Sequence, residues 1–120
     1  DIAWNNLTTL PAGIFDGLGA LTQLSAHHNK LTALPTAIFD HLGALTSLNL
    51  NDNKLTSVAS GQFDGLGALS ELWLHSCNLS TLPAGAFNGL GALKDLRLQS
   101  NGLTSLPEGL FDVLGALNYL

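Results

Sequence analysis

The side chains of this sequence that could do chemistry are a group of histidines and a nearby Ser–His–Asp set. His27, His28 and His75 are candidate metal ligands, because imidazole is among the commonest ligands of transition metals in proteins. Ser25, His27 and Asp1 have the residue types of a hydrolytic triad. Whether these groups can act together depends on the elements that position them.

Those elements are copies of one 24-residue unit, typified by residues 31–54, which read LTALPTAIFDHLGALTSLNLNDNK. Every copy has the same Leu-Gly-Ala-Leu run and a phenylalanine at its ninth place; the phenylalanines are Phe15, Phe39, Phe63, Phe87 and Phe111. A fixed period of this length with an L-x-x-L-x-L-x-x-N core, here Leu45 to Asn53, is typical of a leucine-rich repeat solenoid. The sequence therefore predicts an α/β-type solenoid, a horseshoe with a concave parallel β-sheet and convex loops that contain short helical or 3₁₀ turns.

The 120 residues equal five periods of 24, which predicts a single leucine-rich repeat array over residues 1–120. Residues 1–6 align with the tail of a repeat, and residues 117–120 align with the head of another. This arrangement is compatible with a cut at a repeat boundary and with a unit that stacks head to tail. Solenoids need polar capping repeats for solubility, and neither end has one. We therefore expect an uncapped segment of a longer array or assembly.

Inside each repeat the strand is short and alternating, so that Leu48 and Leu50 point inward and Asn49 points outward. A column of polar residues follows the strands: Asn5, Asn29, Asn53, Cys77 and Asn101. An asparagine amide both donates and accepts, so it can satisfy buried backbone groups where the strand turns away. Cys77 occupies this column and is interpreted as a buried structural thiol rather than a nucleophile; as the only cysteine it excludes an internal disulfide.

Composition limits the partners. The net charge of −5, with only four lysines and arginines, argues against nucleic acid and against an anionic membrane surface. No apolar run approaches the roughly 18 residues that a membrane-spanning helix needs, so we expect no membrane insertion by this segment.

The motif LTxLPxGxFDGLGALTxLxLxxN resembles the 24-residue repeats of extracellular recognition proteins, namely Toll-like receptor ectodomains, small proteoglycans and the variable lymphocyte receptors of jawless vertebrates. The run from Leu10 to Asp16, Leu-Pro-x-Gly-x-Phe-Asp, looks most like the lymphocyte receptors. Two features depart from these families: Cys-rich caps are absent, and Gly-Ala recurs in all five copies. The resemblance implies a curved solenoid that binds proteins or glycans by its concave strand face, in an extracellular or cell-surface location.

Comparison of the repeats with one another locates a candidate contact surface. Four outward positions around each strand vary freely, and both tryptophans and the only tyrosine fall in these columns. Drift on a solvated surface would explain the polar variety there, but large aromatic residues on a uniform scaffold favour a contact surface. The predicted partner-binding residues, centred on Trp73, are Trp73, Arg97, Glu71, Asp95, Asn49, His75, His27, Asp52, Tyr119 and Trp4.

The predicted function is thus a non-catalytic recognition module that binds a protein or glycan partner through the concave face. The alternative is a structural building block that stacks end to end in an extracellular array or fibre. The two differ in where contacts fall, because the first needs the variable columns and the second needs the two end layers.

The positions of these residues in the columns argue against both a metal site and a hydrolytic triad. His27 and His75 share a column but are two strands apart, about 10 Å, which exceeds a shared coordination sphere. His28 beside Asp52 offers only two ligands. Ser25 and His27 lie on one strand, and nothing nearby forms an oxyanion hole. We therefore predict no enzyme activity, no metal site and no cofactor.

Two N-x-[ST] sequons, at Asn6 and Asn78, occupy the same repeat position. Elsewhere this position holds Lys30, Lys54 and Gly102, so it tolerates substitution and is expected to be exposed. The sequence predicts N-linked glycans on Asn6 and Asn78, which would make the protein a glycoprotein.

Overall fold

A computed structural model describes all 120 residues. Four strands, Gln23–Ser25 (β1), Ser47–Asn49 (β2), Glu71–Trp73 (β3) and Asp95–Arg97 (β4), form one parallel sheet in the order β1-β2-β3-β4. Each residue pairs with its equivalent one period later, because every repeat has the same length. The central leucine of each strand is buried. The predicted parallel sheet is confirmed, with strands that begin one residue earlier than the alternation indicated.

The ladder continues beyond the four strands at both edges. On the β1 side, the Ile2 amide donates to the Ser25 carbonyl at 2.8 Å and the Trp4 amide donates to the His27 carbonyl at 3.0 Å. On the β4 side, Tyr119 forms a parallel bridge with Asp95. The outward columns therefore run from the first residues to the last.

The convex side differs from the prediction of helical or 3₁₀ turns. In the first repeat the amides of Ile14, Asp16 and Leu18 donate to the carbonyls three residues earlier, at 3.2, 2.9 and 3.1 Å. The amides between them make no such bond, and Gly13 lies in the left-handed region with φ of 76°. A left-handed residue interrupts any helix, so the segment is a series of separate turns. The chain has no helix with the length and apolar character required to cross a bilayer.

The phenylalanine of each repeat is the main side chain beneath these turns. Phe39, Phe63 and Phe87 have no exposed surface, and the rings of Phe15, Phe39 and Phe63 stack at centroid distances of 6.3 and 6.0 Å. Paired strands lie only about 4.8 Å apart. Because successive repeats are wider at the phenylalanines than at the strands, the array curves with the sheet on its inner side. This wedge makes the strand face concave.

The asparagine column supports the bend after each strand. The Asn53 side chain accepts from the Leu31 amide at 3.0 Å and donates to the Ala26 and Leu50 carbonyls at 3.1 and 2.9 Å. Asn29 and Asn101 make equivalent bonds. Each amide thus joins two successive repeats through groups that would otherwise be buried without partners.

Candidate binding face

The concave face consists of the four outward columns, which the register of the sheet aligns. The first column holds Gln23, Ser47, Glu71, Asp95 and Tyr119, and the second holds Ser25, Asn49, Trp73 and Arg97 beside Asp1. The third and fourth columns follow the strands, with Ala3, His27, Asn51, His75 and Gln99, then Trp4, His28, Asp52, Ser76 and Ser100. All ten residues predicted as partner-binding lie in these columns.

Four of them form one group, the Trp73 cluster, composed of Trp73, Asp95, Arg97 and Tyr119. The Arg97 guanidinium lies over the Trp73 ring at 4.5 Å and over the Tyr119 ring at 5.4 Å from the ring centroids. It donates to the Asp95 carboxylate from Nη2 at 2.9 Å and from Nε at 3.1 Å. The Trp73 indole N–H donates to the same carboxylate at 3.3 Å. Each member therefore touches at least one other, and Arg97 touches all three.

The electrostatics of the Trp73 cluster favour the charged pair. The hydrogen bonds that Arg97 donates to the Asp95 carboxylate are the main cause that raises the pKa of Arg97 above its ordinary value; burial opposes the shift, and the charges of Asp95, Tyr119 and Glu71 add to it. The Arg97 and Asp95 side chains keep 34% and 20% of their surface exposed. The pair is thus formed before any partner arrives and remains accessible to one.

A second group, the His28 cluster, lies toward the β1 edge and comprises Trp4, Ser25, His27, His28 and Asp52. The Trp4 and His28 rings stack at 3.7 Å with an interplanar angle of 18°, and His27 meets both rings edge-on. The His28 Nε2 lies 3.5 Å from the Asp52 carboxylate. Trp4 keeps 73% of its surface exposed and forms the outer part of the group.

His75 lies between the two clusters. Its Nδ1 is buried and has no hydrogen-bond partner. Burial is the main cause that lowers the pKa of His75, and the charges of Arg97 and His28 lower it further, whereas Asp52 and Asp95 oppose the shift. The neutral imidazole is therefore the form that this position favours.

Glu71 and Asn49 complete the predicted set. The Asn49 side chain accepts from the Asn51 amide at 3.2 Å, which fixes its orientation. Glu71 is half-buried beside Asp95 in the first column, and its carboxylate makes no hydrogen bond or ion pair. It is the one carboxylate in the middle of the face without a partner.

The Ser–His–Asp set is only partly assembled. The Ser25 hydroxyl and His27 Nδ1 are 2.6 Å apart, whereas the Asp1 carboxylate accepts from the Ala3 amide at 2.9 Å. His27 therefore has no carboxylate to orient it as a triad requires. No three His, Cys, Asp or Glu side chains come together as potential metal ligands.

The sequence did not place Ser25 or His28 among the partner-binding residues, although both belong to the His28 cluster. His28 occupies a column whose members all have positive φ: Trp4 at 58°, His28 at 51°, Asp52 at 53°, Ser76 at 53° and Ser100 at 58°. The chain bends after each strand, and the residue just before the asparagine column adopts the left-handed conformation at this bend. The bend turns the ring of His28 back over the face, where it meets Trp4.

The two sequon asparagines lie away from this face. Asn6 and Asn78 are exposed, and each lies one residue after the asparagine column, on the flank of the array where the chain leaves the concave face. Both asparagines are therefore exposed, as predicted for this position, and neither belongs to the four columns of the concave face.

Comparison with known proteins agrees with this architecture. The model of the family described as leucine rich repeat matches residues 26–79 and 68–120. The chain belongs to the leucine-rich repeat family. No individual curated protein sequence matches this leucine-rich repeat chain significantly.

Among solved structures, 236 chains match the leucine-rich repeat array. One comes from the Toll–Spatzle complex, described as a molecular hub in Drosophila development and innate immunity; it is 32% identical with a TM-score of 0.85. The match covers 93% of the present chain and 15% of the length of that chain. The extracellular type of repeat that the motif indicated is confirmed by the two matches together.

Proposed function

We propose that this leucine-rich repeat array is a non-catalytic protein-binding module whose partner contacts the concave face, with Trp73 at the centre. The observation that carries the proposal is the Trp73 cluster. Tryptophan, tyrosine and arginine are the residues that most often dominate interface energies, since they combine large area with a polar group. Here all three meet on one face of a scaffold whose leucine, phenylalanine and Gly-Ala positions hardly vary between repeats.

Preorganisation supports the same proposal. Arg97 is held between two rings and bonded to Asp95, so its side chain has already lost much of its conformational freedom. A partner that binds there pays less of the ordering entropy that long flexible side chains normally cost. Trp73 is partly exposed and Tyr119 keeps 56% of its surface exposed, so both residues are available for contact.

The similar solved chain points to the same class of function, because it comes from a complex named for two proteins, Toll and Spatzle. On this basis we propose a protein partner rather than a glycan, and an extracellular or cell-surface location. The proposed N-linked glycans on Asn6 and Asn78 would lie on the flank and leave the concave face free.

The test is a comparison of Trp73→Ala with Asp40→Ala, an exposed carboxylate on the convex side. Wild-type chain and both variants are used to capture proteins by cross-linking from the extracellular fraction of the source organism, and each captured protein is then titrated. A partner that binds wild type and Asp40→Ala equally should bind Trp73→Ala at least about 2 kcal/mol more weakly. A partner that loses affinity only with Asp40→Ala would move the binding site to the convex side. Glycan arrays probed with the same three proteins test the glycan alternative.

A further inference from the structure

The concave face is acidic even where its aromatic residues lie. It carries the carboxylates of Asp1, Asp52, Glu71 and Asp95 but only one guanidinium, that of Arg97. The lysines lie elsewhere: Lys30 and Lys54 follow the asparagine column on the flank, and Lys94 precedes β4.

Three of these carboxylates are already engaged within the chain. Asp95 accepts from Arg97 and Trp73, Asp52 contacts the side chains of Asn51 and His28, and Asp1 accepts from the Ala3 amide. Glu71 alone has no partner, although it is half-buried in the middle of the sheet. A carboxylate that forms no direct ion pair within the chain is open to a cation from a partner, and complementary charge of this kind steers and orients the partner.

We infer that the protein partner places a lysine or arginine side chain between Glu71 and the Trp73 ring. This inference rests on the proposed function, since it names the chemistry of the partner at the same face. Glu71 and Trp73 are two residues apart on β3, so their side chains emerge on the same side of the sheet, about 6–7 Å apart. A basic group there forms an ion pair with Glu71 and lies near an aromatic ring, which attracts cations.

The surroundings select this chemistry over others. Arg97 occupies one face of the Trp73 ring, and the residue paired with Trp73 on β2 is Asn49, which is neutral. An acidic partner group would meet the negative charge of Glu71 without a free cation to compensate, because Arg97 is committed to Asp95. An apolar group would bury the Glu71 carboxylate without satisfying it.

The experiment selects displayed random peptides on the wild-type chain after depletion on Trp73→Ala, so that only binders that need Trp73 remain. Their affinities are then measured for wild type, Glu71→Gln and Glu108→Gln. Glu108 is exposed on the convex side and provides the same chemical change away from the face. The selected peptides should share a lysine or arginine, bind Glu71→Gln at least tenfold more weakly, bind Glu108→Gln as tightly as wild type, and weaken at high ionic strength.

The outcomes separate the two proposals. Peptides that need Trp73 but lack a basic residue, or that bind Glu71→Gln as well as wild type, overturn the inference and leave the proposed function standing. If selection yields no peptide whose binding depends on Trp73, both are overturned. The melting temperatures of Glu71→Gln and Glu108→Gln should match that of wild type, which confirms that lost affinity does not come from lost structure.

Discussion

Among single residues, Cys77 is the member of the asparagine column that forms the weakest hydrogen bonds with the backbone at the bend after its strand. Its Sγ donates a weak bond to the Leu50 carbonyl at 3.4 Å. Each neighbouring asparagine also accepts a hydrogen bond from a backbone amide of the preceding repeat. The equivalent amide beside Cys77, that of Leu55, is buried and has no hydrogen-bond partner. Burial raises the pKa of the Cys77 thiol, so it stays protonated and unreactive.

We therefore expect Cys77→Asn to stabilise the fold. The new amide would accept from Leu55 and donate to the carbonyls of Leu50 and Leu74, as Asn53 does one repeat earlier. Satisfying a buried amide should raise the free energy of unfolding by about 1–2 kcal/mol. Urea denaturation measures this gain, and hydrogen exchange should show new protection of the Leu55 amide.

The matched variant Cys77→Ala removes the weak bond and leaves a small cavity, so it should be less stable than wild type. If Cys77→Asn is no more stable than wild type, the unpaired amide at Leu55 is not a significant cost.

His75 makes the stability of the fold dependent on pH. Its folded-state pKa is lowered from the ordinary value of 6.5, mainly by burial, so the unfolded chain binds the proton more readily. The contribution of neutral His75 is complete above about pH 6.5 and is lost as the pH falls toward the lowered folded value. The free energy of unfolding should therefore decline as the solution is acidified below that point.

His75→Gln isolates this effect, because glutamine occupies the same column at Gln99 and does not titrate. Between about pH 7 and pH 5 the wild-type curve should fall more steeply than the curve of His75→Gln in urea melts. Parallel curves would show that protonation of His75 is as easy in the fold as in the unfolded chain.

Among the elements, the strands followed from the sequence more directly than the convex turns. The period of 24 residues and the buried leucines determine the parallel register, because any other pairing would misalign Leu24, Leu48 and their equivalents. The turns did not follow, since a Pro-x-Gly segment before a phenylalanine is compatible with a helical turn and with a turn that has a left-handed third residue. The positive φ of Gly13, Gly61 and Gly109 shows the latter in three repeats, whereas Gly85 of the fourth repeat, also in a Pro-x-Gly segment, does not have a positive φ.

The second repeat has alanine at this left-handed place. Ala37 has φ of 65°, while Gly13, Gly61 and Gly109 have 76°, 74° and 72° at the equivalent positions. A left-handed L-residue costs roughly 1–2 kcal/mol, which the greater freedom of glycine in the unfolded chain partly offsets. Ala37→Gly should therefore raise the free energy of unfolding by about 0.5–1 kcal/mol, measured by chemical denaturation.

The reverse change at Gly61 is the matched control. Gly61→Ala introduces the same strain, and its Cβ would lie 3.0 Å from the Asp64 carboxylate, so we expect a loss of at least about 1 kcal/mol. Equal stabilities for Ala37→Gly and wild type would indicate that the second turn relaxes without strain.

In the molecule as a whole, the sequence determined which residues share the face but not how they are grouped. The columns follow from the period alone, and with them the contact of Arg97 with Trp73. The division into two clusters depends on side-chain direction after each strand, which the left-handed residue before the asparagine column controls. No periodic pattern encodes that direction, and for this reason the stacking of His28 on Trp4 was missed.

The two end layers of the array expose side chains that are buried in the interior repeats. Ile14 and Leu18 keep 50% and 45% of their surface exposed at one end, whereas their equivalents one repeat later are 3% and 0% exposed. At the other end Leu106 and Leu120 keep 50% and 63% exposed and border a cavity of about 540 Å³ that is also lined by Leu98, Leu103, Phe111 and Tyr119, among others. Apolar surface of this kind favours association.

We therefore expect the 120 residues, expressed by themselves, to self-associate through these end layers. In sedimentation the average mass should rise with protein concentration, and the double variant Leu106→Asp, Leu120→Asp should shift the equilibrium toward monomer because each charge would have to be buried in the contact. Asp40→Ala, which changes a residue on the convex side away from both ends, should associate as wild type does. A constant monomer mass across concentrations, with a cooperative melt, would mean that the exposed end layers are tolerated in water, and it would count against the end-to-end building block.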